Sequence, residues 1–269
     1  MEISKQNYLN HLNKNQKEAV INIDGPHLIV AGAGSGKTRV LTSRVVHIIE
    51  KKKAWPNQIL CVTFTNKAAK EMQNRIANLL KEKQTSIPWL GTFHSVSAKL
   101  LRKHAGAVGL NSHFTIIDQE DQLRLIKNIC KLENIDVKKI SPQFILAFIN
   151  QWKNKGLLPK DVIAKKELPL EKAILNVYKF YQERLKILNS CDFGDLILLC
   201  VTMFENNPDI LELYLNNFKY ILVDEYQDSN YIQSKWLNLL AKKNNNICCV
   251  GDDDQSIYSW RGAEIRNFL

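Results

Sequence analysis

The sequence predicts an α/β protein, a parallel sheet flanked by helices with an all-helical subdomain inserted into it. Three observations predict this. Short runs rich in Val and Ile recur as HLIVAGA (27–33), QILCVTFT (58–65), KYILVDE (219–225) and NICCVGD (246–252). Each has strand length and ends in small or polar residues, as strands of a buried parallel sheet do. Helix-compatible sequence follows, as in KTRVLTSRVVHIIE and NKAAKEMQNRIANLL, so strands and helices alternate and ligand loops fall at the C-terminal edge of the sheet. From Phe114 to Ser190 the periodicity is helical instead, which divides the chain into a sheet domain, 1–113 with 191–269, and a helical insert, 114–190.

The insert is read from two amphipathic stretches. DQEDQLRLIKNICKLENI places Leu123, Ile126 and Cys130 on one face, and LEKAILNVYKFYQERLKIL repeats Leu170, Ile174, Val177, Tyr181, Leu185 and Leu188. Lys153, Lys155, Lys160, Lys165 and Lys166 are expected to form a basic flank, either an ordinary solvated face or a track for phosphates. At 269 residues the chain has room for one or two cores. No apolar run reaches the length of a membrane span, and the N-terminus lacks the apolar segment of a secretory signal. A cytoplasmic, nucleoid-associated protein without membrane partners is expected. The formal charge of +10 favours a polyanionic partner. Six cysteines without CxxC pairing read as buried free thiols, and the six histidines show no zinc-binding spacing.

The chemistry concentrates at strand ends. AGAGSGKT, Ala31 to Thr38, follows the HLIV strand and opens a helix. Ala31, Gly32, Ala33, Gly34, Ser35 and Gly36 are small enough for backbone N–H groups to wrap a phosphate; Lys37 reaches terminal phosphates and Thr38 can ligate Mg²⁺. Ala31 stands where a first glycine is usual. In ILVDEYQD, Asp224 can hold Mg²⁺ and Glu225 can polarise the water that attacks a γ-phosphate, although adjacent carboxylates at a strand end also serve as plain helix caps. VGDDDQSIYSWRGA then places Gln255 within reach of the γ-phosphate. Tyr258 and Trp260 offer flat faces to unpaired bases, and Arg261 offers charge to a backbone phosphate. Core packing is the alternative for these aromatics, and the polar setting of SIYSWRGA speaks against complete burial.

With these residues in place, the chain resembles the N-terminal part of superfamily 1 DNA helicases of the UvrD/Rep/PcrA group. The resemblance is carried by LNKNQKEAV (12–20), AGAGSGKT, VTFTNKAAKEM (62–72), GTFHSVSAKLLR (91–102), DFGDLI (192–197), DEYQDSNYIQ (224–233) and GDDDQSIYSWRGA (251–263), in family order over essentially the whole chain. It implies the first RecA-like motor domain of an ATP- and Mg²⁺-dependent DNA helicase moving 3′ to 5′ in repair or replication. It also implies that Gln16 reads the adenine edge and Arg39 lies against the nucleotide, with Lys37, Thr38, Asp224, Glu225 and Gln255 running hydrolysis. Thr63, Phe64, Thr92 and His94 would line a track for single-stranded or partly duplex DNA beside Tyr258, Trp260 and Arg261; for His94 a hydrogen-bonded loop role stands as the alternative. Ser229 replaces a usual Thr, and Gly194 a commonly acidic residue. Family members carry a second RecA-like domain, here required in cis or in trans, so these residues alone are expected to bind ATP·Mg and single-stranded DNA weakly without unwinding. Two other readings stand beside this one: a non-catalytic binding module stabilised by nucleotide, and a P-loop ATPase without a nucleic-acid role.

Overall fold

The computed structural model describes residues 7–32, 34–80, 86–163 and 169–252. Its strands, in chain order, are β1 (His27–Val30), β2 (Ile59–Thr63), β3 (Trp89–Thr92), β4 (Thr115–Ile116), β5 (Ser190–Cys191), β6 (Tyr220–Val223) and β7 (Ile247–Gly251). The helices are α1 (Lys14–Ile21), α2 (Lys37–Glu50), α3 (Asn66–Leu80), α4 (Phe93–Lys103), α5 (Gln119–Leu132), α6 (Pro142–Asn154), α7 (Pro169–Ile187), α8 (Phe193–Asn206), α9 (Pro208–Asn217) and α10 (Tyr231–Ala241). Five strands form one parallel sheet in the order β1-β7-β6-β2-β3. The expected α/β class and parallel sheet are present.

Contacts divide the chain into two compact units, Met1–Val96 with Pro208–Ser229 and Leu237–Leu269, and Ser97–Asn207 with Asn230–Trp236. In the first, β2 and β6 are buried along their whole length at the centre of the sheet. On one face, Ile59 and Cys61 of β2 and Tyr220 and Leu222 of β6 join Val40, Leu41, Val45 and Ile48 of α2 and Met72 and Ile76 of α3 in one core. β1 departs from the expectation of burial on both faces: it is an edge strand whose Leu28 and Val30 are half exposed. β3 was not foreseen, because WLGT contains a glycine and has no Val or Ile.

The second unit takes in 114–190 and extends past it at both ends. Ile126, Ile129 and Cys130 of α5, Ile145, Ile149 and Trp152 of α6, and Ile174, Val177, Tyr178, Tyr181 and Leu185 of α7 make its core. Asp118 and Ser141 cap α5 and α6, and Pro142 occupies the first turn, where its missing N–H costs nothing. Leu170 and Leu188, read as part of the α7 stripe, are exposed instead, one in the first turn and the other beyond the last. A two-residue parallel ladder, β4 with β5, adds strand structure that helical periodicity concealed. Lys153 is not on a basic flank but wholly buried; Lys155 and Lys160 are exposed, and Lys165 and Lys166 lie outside the described residues. All six cysteines are buried free thiols, as expected. Among the described residues no helix is long and apolar enough to cross a membrane.

Candidate functional site

The loop after β1 is built for close approach to its backbone. Ala31 extends the ladder, its N–H donating to the Gly251 carbonyl at 3.1 Å, after which Gly32, Gly34 and Ser35 are exposed. Gly34 and Gly36 have φ of 72° and 86°, the left-handed region that side chains disfavour. Gly36 is the N-cap of α2, so the helix begins at Lys37, and among the described residues no side chain caps its first-turn N–H groups. A Cβ at Gly36 would also meet Gln16 Nε2 at 3.1 Å. That Gln16 amide bridges two elements: Oε1 accepts from the Asn13 N–H in the capping box of α1, and Nε2 donates to the Ser35 carbonyl at 2.8 Å. Arg39 is exposed beside the loop, and Ala33 lies outside the described residues.

Lys37 folds back over the loop. Its ammonium donates to the Ala31 carbonyl at 2.8 Å and to Asp252 Oδ2 at 3.0 Å, with Lys37 9% and Asp252 2% exposed. Thr38 Oγ1 donates to Asp224 Oδ2 across 3.4 Å. Asp224 is placed by the sheet, its N–H donating to Val62 O at the end of β2. Burial, and then the neighbouring Glu225 charge, push its carboxyl up to about 6. A hard cation prefers oxygen donors, and the Thr38 hydroxyl and Asp224 carboxylate supply two at one point where added positive charge would offset the cost of a buried anion. The pair therefore fits Mg²⁺.

Glu225 follows in a left-handed conformation, φ 52°, uncommon for a residue with a side chain. Its carboxylate accepts from Gln227 Nε2 at 2.6 Å, and Gln227 Oε1 accepts the Asp252 N–H at 3.1 Å. Asp228 is pushed up to about 6 by burial and by Glu225. Gln255 lies outside the described residues.

Four of the residues expected along a DNA track, Thr63, Phe64, Thr92 and His94, stand at the ends of β2 and β3. Thr63 and Thr92 are register partners at the ends of β2 and β3, and the rings of Phe64 and Phe93 pack edge to face at 5.6 Å. Thr63 is fully buried and donates its hydroxyl to the Thr65 carbonyl; Thr92 exchanges hydrogen bonds with Ser95 at the start of α4. Phe64 and His94 are partly exposed. Tyr258, Trp260 and Arg261 lie outside the described residues.

Sequence reasoning gave no role to Gln227, Asp252 or Arg44. The first two stood inside quoted motifs, and the fold shows what joins them to the loop: β7 pairs with both β6 and β1. Arg44 is 2% exposed, and its guanidinium, whose pKa burial lowers, ties the carbonyls of Ala19 in the last turn of α1 and of Asn22 and Ile23 just past it to α2. Its signal was available: an arginine four residues from Val40 and from Ile48 sits on the apolar face of α2.

The UvrD/REP helicase N-terminal domain model matches residues 12–269. The chain is 50% identical to the DNA helicase II of Rickettsia typhi, over 99% of this chain and 41% of that protein. It is 49% identical to a probable DNA helicase II homolog of Rickettsia felis, with the same coverage. To the ATP-dependent DNA helicase PcrA of Staphylococcus aureus strain Mu50 it is 46% identical, over 97% of this chain and 36% of that protein. It thus spans about two fifths of the length of these relatives. A glycine-rich loop after β1, an acidic pair after β6 and a sequence match from residue 12 onward converge, and the chain belongs to the UvrD/REP helicase N-terminal domain family.

Proposed function

We propose that this chain is the ATP-binding motor portion of a UvrD-type DNA helicase or translocase that moves 3′ to 5′ in repair or replication. The observation that carries the reading is the approach of Thr38 to Asp224 within 3.4 Å beside Lys37, with Glu225 next in the chain. In this reading Mg²⁺, held by Thr38 and Asp224, neutralises phosphate charge. The N–H groups of residues 31–36 and the Lys37 ammonium hold the phosphates, Gln16 and Arg39 flank the base, and Glu225 takes the proton of the attacking water while Gln255 senses the γ-phosphate. Thr63, Phe64, Thr92, His94, Tyr258, Trp260 and Arg261 carry the single strand, those with accessible rings by stacking. A second RecA-like domain, in cis or in trans, closes the site, and residues 114–190 form the insert of the motor. The 269 residues taken alone bind ATP·Mg and single-stranded DNA and do not separate strands.

The test is equilibrium binding of ATP·Mg together with steady-state hydrolysis, with and without single-stranded DNA. Lys37→Ala should weaken ATP·Mg about 10- to 100-fold, the worth of a hydrogen bond to a charged group. Glu225→Gln should retain binding and remove any DNA-stimulated turnover. Wild-type affinity in Lys37→Ala would sink the reading.

A further inference from the structure

Two buried groups in the nucleotide site have no part in that reading, and they are linked. The Asp252 carboxylate holds the Lys37 ammonium at 3.0 Å, and the Asp252 N–H is held by Gln227, whose amide at its other end holds Glu225. Asp252 is 2% and Gln227 3% exposed, so the path from Lys37 to Glu225 runs through protein and not through solvent. A buried ammonium needs a counter-anion, and Asp252 is that anion here. A phosphate drawn to Lys37 arrives beside a carboxylate already paired with it. Two anions at one ammonium repel strongly where water is excluded. One must give way.

We propose that Asp252 is the resident anion of the phosphate loop, holding Lys37 until phosphate displaces it, with Gln227 as the positioning residue that fixes Asp252 and ties the exchange to Glu225. The proposal rests on the nucleotide-site reading above. Asp252 then works against phosphate binding, and its contact with Lys37 is the part of the site that ATP must undo. The Ala31 carbonyl, 2.8 Å from the same ammonium, steadies Lys37 during the exchange without adding charge.

Equilibrium binding of ATP·Mg, ADP and adenosine to the wild-type chain, Asp252→Asn, Gln227→Leu and Lys37→Ala separates the possibilities, with thermal melts reporting the fold. Asp252→Asn keeps the shape and removes the charge, and it should tighten ATP·Mg and ADP by about fivefold or more, in the range of ordinary coupling between sites, while leaving adenosine unchanged. A purely structural ion pair would give unchanged or weaker phosphate binding, and that result in a folded Asp252→Asn overturns the proposal. If Asp252→Asn does not fold, Gln227→Leu decides: it removes the Gln227 hold on the Asp252 N–H without touching the carboxylate charge and should tighten ATP·Mg by a smaller factor, whereas no tightening overturns the proposal. Wild-type affinity in Lys37→Ala would fell the nucleotide site itself. Weak binding in Lys37→Ala beside an unchanged Asp252→Asn would fell only the displacement by phosphate.

Discussion

Lys37 and Lys153 are both buried against aspartates, yet the first ends a loop of exposed residues and the second is sealed. Lys153 is fully buried and lies 2.7 Å from both Asp192 and Asp195. The carboxylates are in turn saturated: Tyr181 donates to Asp192, Gln182 donates to Asp195, and the two aspartates exchange backbone hydrogen bonds as the capping box of α8. Gly194 leaves room for the lysine stem, since a Cβ there would lie 2.9 Å from Lys153 Cδ. Lys37, by contrast, is held by one carboxylate and one carbonyl beside exposed loop residues. The difference teaches that a buried lysine among acids is not by itself a sign of chemistry. Where each partner is used up the cluster fixes a fold; exchange with a ligand at Lys37 is what the proposal above adds.

Removing the cation separates the two most sharply. Lys153→Met leaves two buried carboxylates without their counter-charge and should cost roughly 3–5 kcal/mol of stability, measured by urea denaturation. A loss below about 1 kcal/mol, the scale of a surface ion pair, would show that the sealed cluster is no more structural than an exposed one.

A smaller effect should appear in the pH dependence of the sealed cluster. Burial, and then Asp192, push Asp195 up to about 6, while for Asp192 burial is outweighed by Lys153, which holds it below the usual range. A carboxyl raised in the folded state favours folding fully below its ordinary value, and that contribution is lost as pH rises through about 6. Asp195→Asn should therefore gain on the order of 1–3 kcal/mol over wild type at about pH 8, with the gain gone near pH 4. Melting curves across that range check it; a gain that grew on acidification would reverse the sign and break the account.

The smallest effect belongs to the open loop. Gly36→Ala places a Cβ at φ 86° and 3.1 Å from Gln16 Nε2, and should cost about 1–2 kcal/mol. Denaturation of Gly36→Ala and of Gly36→Ala with Gln16→Ala would divide backbone strain from crowding, since only crowding is relieved in the double variant.

Much of this was legible in the sequence. Four of the five strands of the main sheet announce themselves as apolar runs, because central parallel strands need apolar side chains on both faces, and the loop at 31–38 is specific in residue type and spacing. What escaped was decided by distant partners. The strand β3 holds a glycine and has no Val or Ile to declare it, and the β4–β5 ladder pairs residues 115–116 with 190–191, across the whole insert. Lys153 looked like one of a row of surface lysines, yet it stands four residues after Ile149 and eight after Ile145, on the buried stripe of α6. That spacing was a readable signal, overridden by the habit of placing lysine outside. Asp252 and Gln227 sat inside motifs already quoted, but nothing local tells that β7 passes between β1 and β6 and so brings Asp252 to both Lys37 and Gln227.

The six buried thiols have a practical consequence. Burial pushes Cys248 up to about 11 and Cys191 and Cys200 up to about 12, and it also raises Cys61, Cys130 and Cys249. Thiolate, the form that alkylating dyes attack, is therefore scarce in the native chain. Cys61, Cys248 and Cys249 belong to the first unit and Cys130, Cys191 and Cys200 to the second. A fluorophore can be placed at a chosen surface cysteine without stripping the native ones, and the native ones, silent while the chain is folded, record which unit opens first.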